Sequence, residues 1–144
     1  MRDKIIVALD YDDPDEALEL ARRLEGRVGW MKVGLTLYAA GGKTVVEALK
    51  GAGFRVFVDL KLHDIPHQVR GAVRALAAQG ADMLTVHASG GEAMLRAAVE
   101  AADEAGRGGH RPAIVAVTVL TSLDAAALAA TGVARPPAEP AGLL

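Results

Sequence analysis

Short apolar runs rich in β-branched residues alternate along the chain with longer alanine-rich runs whose apolar positions recur at helical spacing. That alternation is the pattern of repeated βα units. Strands are predicted at residues 5–9, 30–33, 56–61, 83–87 and 113–120, and helices at 15–25, 44–50, 68–79 and 92–105, with another beginning at 124–130. The run Asp13-Pro14-Asp15-Glu16 opens the first helix: Asp13 caps it, Pro14 takes the first position and Glu16 reaches back. Apolar residues are nearly continuous within each strand rather than alternating, which predicts a parallel sheet covered on both faces. Glycines at 51, 53, 80, 106, 108 and 109 close helices ahead of the next strand. That is the end of a parallel α/β sheet that serves stability.

The other end carries the charges. Residues 59–66 read Asp-Leu-Lys-Leu-His-Asp-Ile-Pro, directly after the run Phe-Arg-Val-Phe-Val at 54–58. Strand side chains alternate, so Asp59 and Lys61 point one way while Leu60 and Leu62 point the other. A charged pair there has a structural alternative, an ion pair within the core. Against it stand the third charge, Asp64, and Pro66, which helps end the strand and suits the first turn of a helix. Polar residues recur at the ends of the other strands as well: Asp10, Lys32, His87 and Thr118 or Thr121. Successive βα units place such residues on one rim. Singly, Asp10 could cap a helix and His87 could be a satisfied core histidine; together they outline a site.

Composition narrows the chemistry. The 144 residues suffice for one domain with a core, and 51% of them are hydrophobic. A net charge of -2 and an aromatic content of 3% offer neither the basic field nor the stacking platforms of a nucleic-acid binder. The absence of cysteine excludes disulfides, thiolate nucleophiles and Cys-ligated metals, and points to the cytosol. The first residues are too few and too charged for a signal peptide, and no apolar run is long enough to cross a membrane.

The segment at 59–66, preceded by Ile-Val-Ala-Leu-Asp at 6–10 and Met-Lys-Val-Gly at 31–34, is followed by Val-His-Ala-Ser-Gly-Gly at 86–91 and Val-Thr-Val-Leu-Thr-Ser at 117–122. In that order the five motifs closely resemble the orotidine 5′-phosphate decarboxylase family, over nearly the whole chain to residue 123. The shorter Asp-x-Lys-x-x-Asp core is shared with phosphoulose decarboxylases and hexulose-phosphate synthases of the same superfamily. Leu62-His63 and Ile65-Pro66 favour the orotidylate branch. The resemblance implies an α/β fold of the (βα)8 TIM-barrel type, here with about the first five βα units. It also implies a homodimer with shared active sites and cofactor-free, metal-free conversion of orotidine 5′-phosphate to uridine 5′-phosphate and carbon dioxide. By the same resemblance Lys61 donates the proton to pyrimidine C6 and Asp59 lies against the departing carboxylate. Lys32 completes a row of alternating charges and touches the ribose, Asp64 reaches the neighbouring subunit's site, Asp10 holds ribose hydroxyls and Thr121 meets the pyrimidine. Leu60, Leu62, His63, Ile65, Pro66, His67 and Gln68 complete the binding segment, with His67 standing where the family often has a small hydroxyl residue.

A complete barrel of this type runs to roughly 250 residues. The Pro-Gly-Ile-Arg segment and later arginine with which the family grips phosphate, after its seventh and eighth strands, do not occur in the 144 residues. The expected division is a partial barrel over 1–135 and an irregular proline-rich tail over 136–144. A piece of a longer protein or a shortened gene product is favoured over an autonomous partial barrel, because five strands would leave edges at 5–9 and 113–120 unpaired. Little activity is expected from such a chain alone. Two other functions stay open: a metal-dependent phosphosugar enzyme of the superfamily, and a non-catalytic nucleotide- or partner-binding fragment. Gly90-Gly91 could cradle a phosphate but reads more simply as a tight turn.

Overall fold

The computed structural model describes residues 2–133; the tail expected at 136–144 lies outside them. A 3-10 turn at Arg2–Lys4 leads into β1 (Ile6–Leu9), α1 (Pro14–Arg23), β2 (Trp30–Gly34), α2 (Leu35–Gly51) and β3 (Arg55–Leu62). Then come α3 (Pro66–Ala78), β4 (Met83–His87), a second 3-10 turn (Ala88–Gly90), α4 (Glu92–Arg107), β5 (Ala113–Val117) and α5 (Ala125–Ala130). All neighbouring strands pair in parallel, in the order β1-β2-β3-β4-β5. A strictly sequential order with right-handed crossovers carries every connecting helix to the same face. The sheet is thus singly wound, as in the first five units of a (βα)8 barrel.

That topology corrects the expectation of two covered faces. Burial along β2 and β3 alternates. Leu9, Met31, Val33, Val56, Val58, Leu84 and Val86 are fully buried and form one core with Ala17 and Ala21 of α1, Val45 and Leu49 of α2, Val69 and Val73 of α3, and Met94 and Ala98 of α4. Truncating Leu84 or Leu49 to alanine would cost about 3 kcal/mol by cavity formation. The opposite face, carrying Lys32, Phe57, Asp59 and His87, is only partly covered. Among the described residues β1 and β5 each have one neighbour, and Ile6 and Val115 are 42% and 41% exposed. These are the open edges expected from the sequence.

Local sequence explains most boundaries. Asp13 accepts a hydrogen bond from the Asp15 N–H at 2.8 Å, with Pro14 in the first turn. The second helix begins at Leu35, nine residues before the predicted start. Gly42 is non-helical (φ 49°, ψ −134°), and the chain resumes its helix across that kink. β5 ends at Val117, three residues short of the prediction, and Thr118 starts the loop that follows.

At the far end of the sheet, Asp82 accepts from Lys50 Nζ (2.8 Å) and from the Val56 N–H (2.7 Å), tying α2, β3 and β4 together. The Gly90-Gly91 turn is structural: Gly91 has φ 84°, and a Cβ at Gly90 would run into the Met94 side chain.

Candidate active site

Parallel strands deliver their last residues to one rim. Asp10 follows β1, Lys32 lies in β2, and Asp59 and Lys61 lie in β3. The register places Lys32 beside Ala8 and Phe57, and Asp59 beside Gly34. The charges therefore line up across the strands. Lys32 Nζ lies 3.2 Å from Asp10 Oδ1 and 3.6 Å from Asp59 Oδ2, while Lys61 Nζ donates to Asp59 Oδ1 at 2.9 Å. The row reads minus, plus, minus, plus. It borders a cavity of about 440 Å³ lined by Asp10, Lys32, Gly34, Leu35, Asp59, Leu60, Lys61 and His87.

Asp59 is the hub of the row, its side chain only 13% exposed. Burial alone would push its carboxyl up from the ordinary 3.8, but hydrogen bonds from Lys61 and Thr85, with the charges of Lys61 and Lys32, outweigh burial and hold it lower. Asp59 is thereby kept ionised between two ammonium groups.

β3 departs from regular geometry in the same place. Val58 pairs with Leu84 and Leu62 with Val86, so β3 spends three residues, 59–61, where β4 spends Thr85 alone. Lys61 takes up the excess in the left-handed region, with φ 52°, the only non-glycine residue among those described to do so. Two extra residues preserve the strand's parity, so Asp59 and Lys61 still reach one side, as alternation predicts. Leu60 packs against the core and also edges the cavity.

Other predicted residues lie outside the row. Asp64 is exposed, and its carboxylate accepts from the Ile65 N–H at 2.6 Å. His63, Ile65, Pro66, His67 and Gln68 are likewise exposed, around the start of α3. Thr121 sits on an exposed turn after β5 and does not line the cavity. Gly34 and Leu35, which do, went unremarked as lining residues in the sequence, although the Lys-Val-Gly run marked their strand end. Thr85 was missed altogether; its signal was a lone hydroxyl in the apolar strand Met-Leu-Thr-Val-His.

His87 lies with its ring centroid 5.2 Å from that of His63. Burial pushes its imidazole below the ordinary 6.5, and the charges of His63 and Lys61 push it the same way. A depressed folded value means that the unfolded chain binds the proton more readily. The stability contributed by neutral His87 is present above 6.5 and is lost as pH falls through the folded value. Unfolding free energy should therefore fall between about pH 7.5 and about pH 5, and fall less in His87→Gln. Urea titrations at the two pH values check this; equal losses in both proteins would remove His87 as the cause.

Among the described residues, no three His, Asp or Glu side chains gather as a metal-ligand set, and no helix is long and apolar enough to cross a membrane. The chain as a whole is similar to known proteins. Curated orotidine 5′-phosphate decarboxylases are 54% identical over 129 residues (Moorella thermoacetica; 88% of this chain, 51% of the relative) and 50% identical over 138 residues (Paramagnetospirillum magneticum; 94% and 59%). The chain spans between 51% and 60% of the length of the curated relatives it matches. A crystal structure of orotidine 5′-phosphate decarboxylase from Lactobacillus acidophilus superposes with a TM-score of 0.87 at 36% identity, over 96% of this chain and 63% of that one. Residues 3–139 match the model of one family, and the chain belongs to it: the orotidine 5′-phosphate decarboxylase / HUMPS family.

Proposed function

We propose that the protein to which this chain belongs decarboxylates orotidine 5′-phosphate to uridine 5′-phosphate, a step of pyrimidine biosynthesis, in the cytosol. The observation that carries the reading is the row Asp10-Lys32-Asp59-Lys61 on one cavity, with Lys61 Nζ 2.9 Å from a carboxylate kept ionised. Loss of carbon dioxide from C6 of the pyrimidine breaks the C6–carboxyl bond and leaves its electron pair on an sp2 carbon with no adjacent carbonyl to accept it. A fixed cation must meet that charge as it develops. Lys61 does so, then transfers a proton to C6 and is left as the amine. Asp59 lies against the departing carboxylate and fixes the ammonium, while Lys32 and Asp10 hold the ribose. The chemistry needs no cofactor and no metal.

The remaining site residues are assigned by the same reading. Asp64, bound among the described residues only to the Ile65 N–H, and Ile65, 62% exposed, are open to a second subunit's site, which supports a homodimer. Leu60, Leu62, His63, Pro66, His67 and Gln68 frame the substrate, and Thr121, on the turn after β5, is assigned to the pyrimidine by the family resemblance. By the family resemblance, the phosphate is held by segments that follow a seventh and an eighth strand. Such remote contacts raise rate as well as affinity.

The test is the fall in orotidylate absorbance with no added metal, using protein purified from its native source and identified by intact mass. Turnover insensitive to a chelator is expected. Indifference to orotidine 5′-phosphate together with magnesium-stimulated turnover of a phosphosugar would transfer the chain to the other branch of its family; nucleotide binding without turnover would make it a binding fragment.

A further inference from the structure

Thr85 is the only buried polar residue among those described, at 4% exposure, and it stands on β4 opposite residues 59–61 of β3, an excess of two. Its hydroxyl oxygen accepts from the backbone N–H of Lys61 at 2.9 Å, and its O–H donates to Asp59 Oδ1, also at 2.9 Å. The same Asp59 Oδ1 accepts from Lys61 Nζ at 2.9 Å. These contacts close a ring. Lys61 is gripped at its amide by Thr85 and at its ammonium by Asp59, and a single hydroxyl links the two grips. Asp59 Oδ2 is left to face Lys32.

We propose that Thr85 is the positioning residue of this site, a clamp whose one hydroxyl holds Lys61 in its left-handed conformation and sets the Asp59 carboxylate against the Lys61 ammonium. Resting on the decarboxylase reading for its consequence in catalysis, the clamp accounts for two features that reading leaves unexplained. The bulge turns the Lys61 N–H out of the β3–β4 ladder, and a buried donor without a partner is costly, so the excess residues are tolerated only where an acceptor waits on β4. A left-handed lysine is itself strained and persists only when its surroundings over-determine it. Threonine meets both needs, because a hydroxyl accepts and donates at once. Valine has the same shape and does neither.

Thr85→Val and Thr85→Ser provide the test, read first without substrate. In Thr85→Val the Lys61 amide should exchange with solvent at least about tenfold faster, and the Asp59 carboxyl, followed by carbon-13 NMR, should titrate at higher pH because a hydrogen bond to its charged form is gone. Thr85→Ser should preserve both. A residue that merely filled space would move neither. Unchanged exchange and titration in Thr85→Val, or a serine variant that behaves like the valine one, would overturn the clamp. Should the valine variant not fold, the unaltered protein decides: its Lys61 amide must exchange as slowly as those of Phe57 and Val58, and rapid exchange there overturns the proposal. With orotidine 5′-phosphate, kcat of Thr85→Val should drop on the order of a hundredfold with KM nearly unchanged, since the hydroxyl orients the reacting group without touching substrate. Amide and titration responses as expected in a protein that does not decarboxylate orotidylate would sink the decarboxylase reading and leave the clamp standing.

Discussion

Lys61→Ala should abolish decarboxylation, by at least about 10⁴-fold, while the protein stays folded. On the proposed reading two contributions disappear together: the cation that meets charge developing at C6, and the proton that quenches it. Neighbouring groups do not replace them. Lys32 is drawn between Asp10 and Asp59, and His87 is held toward its neutral form by burial and by the charges beside it. The fold should survive because the Lys61 side chain is 38% exposed and outside the apolar core. Lys61→Gly adds a second readout. Glycine enters the left-handed region without penalty, so this variant should be about 1 kcal/mol more stable than Lys61→Ala and equally inactive. Steady-state assays and urea titrations of the two variants check both statements. Retained turnover in either would remove Lys61 as proton donor; equal stability would mean that the φ of 52° carries no strain.

Asp59→Asn should cost rate by on the order of a hundredfold or more and stability by about 1–3 kcal/mol. The asparagine keeps the shape and an acceptor but loses the charge that Lys32 and Lys61 share, leaving two ammonium groups facing one another across it. Its pH signature separates charge from packing. A carboxyl held below 3.8 in the folded state adds stability that is complete above that value and is lost as pH falls through the folded one. The unaltered protein should therefore lose stability on acidification below about pH 5 more steeply than Asp59→Asn does, converging with it once the folded value is passed. Parallel curves would show that the Asp59 charge contributes no stability. A variant that bound substrate weakly but kept its kcat would confine Asp59 to binding.

The legible parts of this molecule are those written in local chemistry. The alternation of apolar runs specified five parallel strands and their helices because burial periodicity is a property of short segments. The Asp13-Pro14 start was visible because capping acts within a few residues. Errors fell where a local rule has a nonlocal exception. The second helix was expected only from residue 44, yet it starts at Leu35 and continues across a kink at Gly42. Nearly continuous apolar strands suggested two covered faces, but sequential order sends every helix to one side. The site divides in the same way. Asp59 and Lys61 could be paired from their spacing, and Asp10 and Lys32 joined them through the order of the strands. Asp64 and Thr121, named with them, stand apart within this chain.

The charge row and its family were thus contained in five short motifs, since residue identity and spacing set which groups reach a strand's end. The register shift between Val58 and Leu62, the left-handed Lys61 and the hydroxyl of Thr85 that joins them were not. They depend on how β4 lies against β3, 24 residues from Lys61 to Thr85 along the chain. No local pattern encodes a hydrogen bond between segments that meet only when the sheet is assembled.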